Sequence, residues 1–437
     1  MHLPRWWPWV RRLPPGRALA PGPYVESPGA QLQLFLVRLG AALVESGTAV
    51  TDFVRALRRV AVAQGAPGAV LLVLPTALVV EVPGEERSQI ALSIPALDEV
   101  RFDRATAVYR VADHATSGEL SPGKGLHELE LATGLPRRFA PVLRMLGHGL
   151  AALGIALVLH TGGVALIWAL VLGVLVGALK VWAPGGTSST VLLPTFAAFV
   201  VGVLVLTAAG HGLVHSPLQA LVPALVTLLP GGALTVAVQE LAAGDMISGS
   251  SRLVYGVTQL GLLAFGIFAA SELVNVPLAN VLTPAAAELG TVGALVGVLL
   301  LAGGFYLYYS GPVRSLWYLT GVLYVAYLGQ LLGSLAVGGT LGAMVGAFAL
   351  TVAAYMSQSL PGAPPAIVTF LPAFWLLVPG AAGLVGLTQT AAGSLSVASL
   401  TTFLGTITAI ALGVVLGASA FRLAYRYAPE RWNLRPA

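Results

Sequence analysis

Leu221 to Gly231 reads LVPALVTLLPG, and Phe370 to Gly380 reads FLPAFWLLVPG. Pro223-Ala224 and Pro230-Gly231 of the first phrase recur as Pro372-Ala373 and Pro379-Gly380 of the second, at a spacing of 149 (379 − 230). The register holds onward through Ala243/Ala392, Gly244/Gly393 and Gly256/Gly405. Small residues match readily by chance in such a chain. Prolines inside apolar helical stretches do not, because each costs about 3 kcal/mol in a helix interior. The spacing predicts a duplicated membrane unit with one interrupted helix per copy. Interrupted helices at matching positions of two halves point to a transporter's binding site, since an unwound turn frees backbone N–H and C=O groups to hold a polar solute.

Composition places the rest of the chain around that phrase. Of 437 residues 57% are hydrophobic and 9% charged, far below the roughly 25% charge of a soluble domain. From Met145 to Phe421 the cations are Lys180, Arg252 and Arg314 and the anions Glu240, Asp245, Glu272 and Glu288. All other charge lies before or after that stretch. There is no cysteine, so thiol chemistry and disulfides are excluded. The net charge of +5 needs no nucleic-acid partner, because basic flanks of membrane spans account for it.

Hydropathy predicts ten spans of about 20 residues or slightly more. The first five cover 142–161, 163–182, 189–209, 216–243 and 252–273; the second five cover 288–309, 313–334, 339–357, 365–390 and 396–421. If Arg137, Arg138 and Arg144 are cytoplasmic, then Lys180, Arg252, Arg314 and the tail arginines Arg422, Arg426, Arg431 and Arg435 fall on the same side, and no outer loop carries Lys or Arg. Five is an odd number, so two tandem copies sit in opposite orientations. The expected fold is an all-α polytopic membrane protein with an inverted 5+5 repeat and two broken helices, in a bacterial inner membrane with both termini cytoplasmic. Repeat 1 is placed at 142–274, repeat 2 at 288–424 and a cytoplasmic tail at 425–437.

Residues 1–28 mix Trp6, Trp7, Trp9, arginines and prolines without periodicity and read as a disordered tail; no apolar segment follows the basic residues, as a secretory signal would require. Residues 29–141 read as a small cytoplasmic α+β domain. Leu32, Phe35, Leu36, Leu39 and Leu43 recur at helical spacing, Gly47 ends the run, and Thr51 can cap a second helix carrying Phe53, Val54, Leu57, Val60 and Ala61. Strand composition follows at 70–74, 77–82 and 89–94, then helical patterns at 103–116 and 122–133. Gly118 to Gly125 (GELSPGKG) nearly satisfies the phosphate-wrapping loop, but Gly125 stands where the magnesium-ligating hydroxyl belongs and Pro122 removes a backbone donor. A turn with Ser121 capping the next helix is the better reading. Asp113-His114 has no nucleophile beside it and reads as a solvated helix end.

The run Arg38 to Thr51 (RLGAALVESGTAVT), the Ser117-Gly118-Glu119-Leu120-Ser121 turn and the two Pro-Ala-x5-Pro-Gly phrases resemble the threonine/serine exporter family over roughly residues 30–425. The resemblance implies a cytoplasmic amino-terminal domain, ten membrane helices and export of small polar metabolites driven by the proton motive force. Relatives split into two polypeptides are linked to dicarboxylates such as succinate. It supplies no binding residues.

Candidate site residues come from the chain itself. Glu240, with Gln239 beside it, lies beyond the Pro230-Gly231 break, and Asp245 follows. A carboxylate inside a span costs at least about 2.5–3.5 kcal/mol, so it faces a partner or a watery cavity. Glu240 is the first candidate for proton coupling or for holding a substrate ammonium, against the alternative that it and Asp245 pair with Arg252 at the inner interface. Its repeat partner Gln389, beside Thr388, cannot titrate. His148, His160, His211 and His215 lie near span ends, where interfacial hydrogen bonding is their expected role and no metal-ligand spacing occurs. Glu272 and Glu288 flank the outer loop. Gly173 with Gly177 and Gly342 with Gly346 suit close helix packing. Tyr306, Tyr308, Tyr309 and Trp317 suit an aromatic belt. The absence of a midspan Lys or Arg favours a zwitterion over a dicarboxylate. The reading is therefore a threonine/serine exporter and not an enzyme, with no cofactor and no metal. Its partners are a small solute, protons and the bilayer, with self-association left open and no nucleic acid. The rivals are a dicarboxylate exporter and a membrane sensor or enzyme acting through the amino-terminal domain.

Overall fold

The computed structural model describes residues 27–47, 50–74, 77–83, 89–91, 100–183, 187–276, 290–377, 384 and 397–427. Ahead of the membrane helices come α1 (Pro28–Glu45), α2 (Val50–Ala63), β1 (Val70–Leu74), β2 (Ala77–Glu81), β3 (Gln89–Ala91), α3 (Phe102–Thr116) and α4 (Pro122–Gly134). The strands form an antiparallel sheet in the order β1-β2-β3, with Leu72 opposite Val79 and Leu78 opposite Ala91. The apolar stripe of α1 (Leu32, Phe35, Leu36, Leu39, Leu43) closes on Phe53, Leu57 and Val60 of α2, Leu78 and Val80 of β2, and Val108 and Ala112 of α3. Buried Gln33 of α1 is satisfied by donating to Val80 O at 2.7 Å. Gly47 ends α1 at φ 81°, a conformation open to glycine, while α2 begins at Val50, so Thr51 lies in its first turn and not at its cap. Gly125 has a packing reason: a Cβ there would lie 2.6 Å from the Phe35 ring.

The membrane part consists of α5 (Pro141–Val158), α6 (Val164–Trp182), α7 (Thr187–Gly210), α8 (Pro217–Ala224), a 3-10 turn (Val226–Leu228), α9 (Gly231–Ala242), α10 (Met246–Val274), α11 (Gly290–Tyr308), α12 (Ser315–Val337), α13 (Gly339–Gln358), α14 (Ala366–Leu376) and α15 (Val397–Tyr427). Among the described residues eight of these helices are long and apolar enough to cross a membrane, and nine spans result if the bent α8/α9 pair counts as one. The chain is a multi-pass helical membrane protein. Of the ten expected spans, 365–390 is described chiefly as the 11-residue α14. Elements recur along the chain: α5 and α11 start 149 residues apart (290 − 141), as do α8 and α14 (366 − 217).

α5 is the most interior span, with 61% of its window buried, and it packs on α6, α8 and α11. Its crossing with α11 is reciprocal. A Cβ on Gly147 would lie 2.8 Å from Gly304 O, and one on Gly304 would lie 2.6 Å from Gly147 O; Gly154 and Gly297 each stand in the same relation at 2.6 Å. The four glycines thus let the two backbones meet directly at the crossing. Residue numbers rise on α5 as they fall on α11, so the two helices are antiparallel.

The amino-terminal unit docks on the end of this pair. Phe102 N donates to Tyr309 O at 2.9 Å, and the two rings stack at 5.0 Å. Arg101, 8% exposed, grips Asp103 at 2.6 Å and donates to Leu135 O and Pro136 O, while Arg138 donates to Gly311 O at 2.7 Å. Tyr309 in turn stacks on Trp375, in the last turn of α14.

Candidate functional site: the broken helix and its basic surround

Pro223 sits in the final turn of α8, and Pro230 immediately precedes α9, which Gly231 begins. Between them the chain tightens to short bonds, Leu228 N to Leu225 O at 2.8 Å and Leu229 N to Val226 O at 3.3 Å, because Pro230 has no N–H to continue the α-helical ladder. The α-helix resumes with Leu234 N to Pro230 O at 3.0 Å, and the two halves are bent by 54°. The first break thus lies where Pro223, Pro230 and Gly231 place it. In the second copy Pro372 lies inside α14, whose C-cap is Leu377, while Pro379, Gly380, Thr388 and Gln389 lie outside the described residues.

The hydroxyl in the break belongs to Thr227, and side chains of two other helices reach it. His148 of α5, fully buried, places Nε2 2.7 Å from Thr227 Oγ1 and Nδ1 2.7 Å from Gly173 O. A carbonyl only accepts, so Nδ1 carries the proton and the Nε2 of a neutral imidazole accepts from the Thr227 hydroxyl. Lys180 of α6 donates to Thr227 Oγ1 at 3.1 Å, which completes a one-directional chain from Lys180 through Thr227 and His148 to Gly173 O. Beneath it lies Tyr308, fully buried, with Lys180 Nζ 5.2 Å and the Arg144 guanidinium 5.9 Å from its ring centre. The His148 ring meets Tyr308 edge-on at 4.9 Å.

Local sequence explains the convergence. Arg144 and His148 stand four apart, hence on one face of α5. Gly173 and Gly177 let α6 approach that face, since a Cβ on Gly177 would lie 2.8 Å from His148 Cβ. His148 and Lys180 thus converge on Thr227 in the 3-10 turn, and Arg144 lies beside Tyr308, whose ring Lys180 also faces.

Sequence reasoning put His148 and Lys180 near span ends, and they lie in the second turn of α5 and the last turn of α6; their meeting at Thr227 was not foreseen. Tyr308 and Tyr309, expected in an aromatic belt, are 0% and 3% exposed and form packed core, whereas Trp317 is 79% exposed. The available signals were the four-residue spacing of Arg144 and His148 and the single hydroxyl between Pro223 and Pro230.

Glu240, in the last turn of α9, is 2% exposed and paired with Arg252 of α10, Nε to Oε2, at 3.0 Å. The pairing alternative thus describes Glu240 but not Asp245, which is exposed at the start of α10 and joins no described ion pair. Gln239 is half-buried beside Glu240. From Gly231 to Glu240 is nine residues, about 14 Å along a helix. Glu240 and Thr227 are therefore not brought together.

The family model described as "Putative threonine/serine exporter" (ThrE) matches residues 34–274, more than half of the chain. The chain belongs to the threonine/serine exporter family. The matched stretch runs from α1 through α10 and includes the first Pro-Ala-x5-Pro-Gly phrase but not the second. A threonine/serine exporter is a membrane transporter, in keeping with the many apolar spans. Comparison with curated proteins and with solved structures gave no match.

Proposed function

We propose that the chain is a secondary active carrier of a bacterial inner membrane that exports small polar metabolites, threonine and serine first, in exchange for protons. Its two five-span units are inverted copies, both termini are cytoplasmic, and the solute sits where the broken helices meet. The observation that carries this reading is the Thr227 hydroxyl in the 3-10 turn that interrupts the helix, held by Lys180 and His148 of two neighbouring helices. The inverted relation is supported by α5 and α11, which start one repeat spacing of 149 residues apart and run antiparallel. The basic surround suits a dicarboxylate as well, so succinate is the second substrate to assay.

Coupling is assigned to Glu240. A proton on its carboxylate removes the charge that Arg252 holds, which releases the α9/α10 hairpin and lets α9 move relative to the break. The distance of about 14 Å makes this an indirect coupling, and it excludes Glu240 as the partner of an ammonium whose carboxylate rests at Thr227. Reconstituted Glu240→Gln should lose gradient-driven accumulation while retaining exchange at equal concentrations, which needs no net proton release. Accumulation against a gradient by Glu240→Gln under an imposed proton gradient would move the coupling group elsewhere.

A further inference from the structure

We infer that Thr235 of α9 and Gln259 of α10 form a neutral polar subsite at the start of α9 that recognises the hydroxyl of the solute's side chain; the inference rests on the proposal that solute sits where the broken helices meet. Thr235 is 1% exposed, and its Oγ1 has no hydrogen-bond partner among the described residues. A threonine inside a helix commonly donates to the carbonyl four residues back. Thr106, Thr207, Thr320 and Thr351 all do so here, at 2.7 Å. Thr235 makes no such bond to Gly231 O, and its hydroxyl is left to donate to and accept from another group. A buried hydroxyl without a partner is costly, so its retention in the first turns of α9 points to a ligand that satisfies it.

Gln259 is placed by the packing of α10 on α9. A Cβ on Gly249 would lie 2.6 Å from Leu241 and one on Gly256 would lie 2.6 Å from Leu234, so the two helices run antiparallel in a steady register. Arg252, on the same face of α10, reaches Glu240. Gln259 follows Gly256 by three residues, hence on that face, and the register sets it level with Gly231, the first residue of α9. It is 7% exposed and joins no hydrogen bond among the described residues. A helical side chain leans toward its own N-terminus, which in this antiparallel pair is toward the level of Thr235. The second phrase closes on the same point: a Cβ on Gly232 would lie 3.9 Å from the Phe374 ring, and Val226 shares one apolar cluster with Ala373, Phe374 and Leu376. Two uncharged side chains that each donate and accept are thus brought to the junction of the two phrases, and a hydroxyl matches them in both respects. The residue 149 positions beyond Thr235 is Leu384, buried and apolar, so the hydroxyl of this subsite belongs to the first copy alone.

The test is counterflow of labelled serine by the full chain in proteoliposomes, with serine, threonine, alanine and 2-aminobutyrate as competitors. The last two keep the ammonium and the carboxylate and lack only the hydroxyl. In the wild-type protein they should need about tenfold or more higher concentration for half-inhibition than serine and threonine, because a site that hydrogen-bonds a hydroxyl rejects the analogue without one. Thr235→Val and Gln259→Leu should each bring that ratio towards one, while Thr235→Ser keeps it. The unfolding midpoint of Thr235→Val should hold or rise, since the change removes a buried hydroxyl that has no partner, so a lost ratio is not a folding defect. Equal inhibition of the wild-type protein by serine and alanine would overturn the subsite and leave the exporter reading intact. So would a wild-type ratio in either Thr235→Val or Gln259→Leu. Failure of the wild-type protein to exchange serine at all would overturn the exporter reading and the subsite with it.

Discussion

Gly154→Ala and Gly304→Ala should destabilise the protein to a similar extent, and Gly303→Ala should not. A Cβ on Gly154 would sit 2.6 Å from Gly297 O and 2.6 Å from Leu301 N, both backbone atoms that cannot rotate aside. Ordinary contact begins at 3.4 Å, so α5 and α11 must separate by about 0.8 Å (3.4 − 2.6). On Gly304 the same methyl meets Ala151 N and Gly147 O, again backbone atoms. Overpacking of this kind costs about 1–3 kcal/mol, against a gain of about 1 kcal/mol in helix propensity, for a net loss of up to about 2 kcal/mol. Gly303 has nothing within 4 Å of the added Cβ, so its alanine variant keeps only the gain. Thermal unfolding midpoints in detergent, read side by side, should fall by a few degrees for Gly154→Ala and Gly304→Ala and stay level or rise for Gly303→Ala. Equal midpoints for Gly303→Ala and Gly304→Ala would refute the close crossing, as would an unchanged midpoint for Gly154→Ala.

Two further outcomes are expected. Cysteines introduced at Asn280 and Ser394 should react with an impermeant thiol reagent in intact cells, because the proposed inverted arrangement puts both positions outside; labelling only after lysis would contradict that proposal. Phe102→Ala removes a fully buried ring stacked on Tyr309, a loss of about 3–5 kcal/mol at the dock, so trypsin should cut at Arg137 and Arg138 several-fold faster; an unchanged cleavage rate would show that the amino-terminal unit is held by other contacts.

What the sequence made legible was local. The three strands and four helices before residue 135 were visible because period-two and period-3.6 patterns alternate with Gly and Pro punctuation. The first break was visible because Pro230 forces it whatever surrounds it. Partnership across helices was less so. Arg252 could be weighed as a partner for Glu240 because only a short turn separates α9 from α10. The meeting of His148, Lys180 and Thr227 joins residues 79 positions apart and depends on the rotation of α5 and α6 about their axes, which hydropathy leaves undetermined. Tyr308 and Tyr309 were misplaced for a related reason: an aromatic near a span end suits a membrane interface and a docking surface equally, and here α3 and α14 cover it.

The most direct measurement of the central claim, that solute crosses at the broken helix α8/α9, is counterflow of labelled serine in proteoliposomes carrying Pro230→Ala/Gly231→Ala. The double change restores helix propensity and closes the break without touching Lys180, His148 or Thr227. The protein should insert and fold with its unfolding midpoint maintained or raised, and transport should fall to the level of empty vesicles. Near-normal counterflow from a properly inserted double variant would mean that the broken helix shapes packing only and that solute crosses elsewhere.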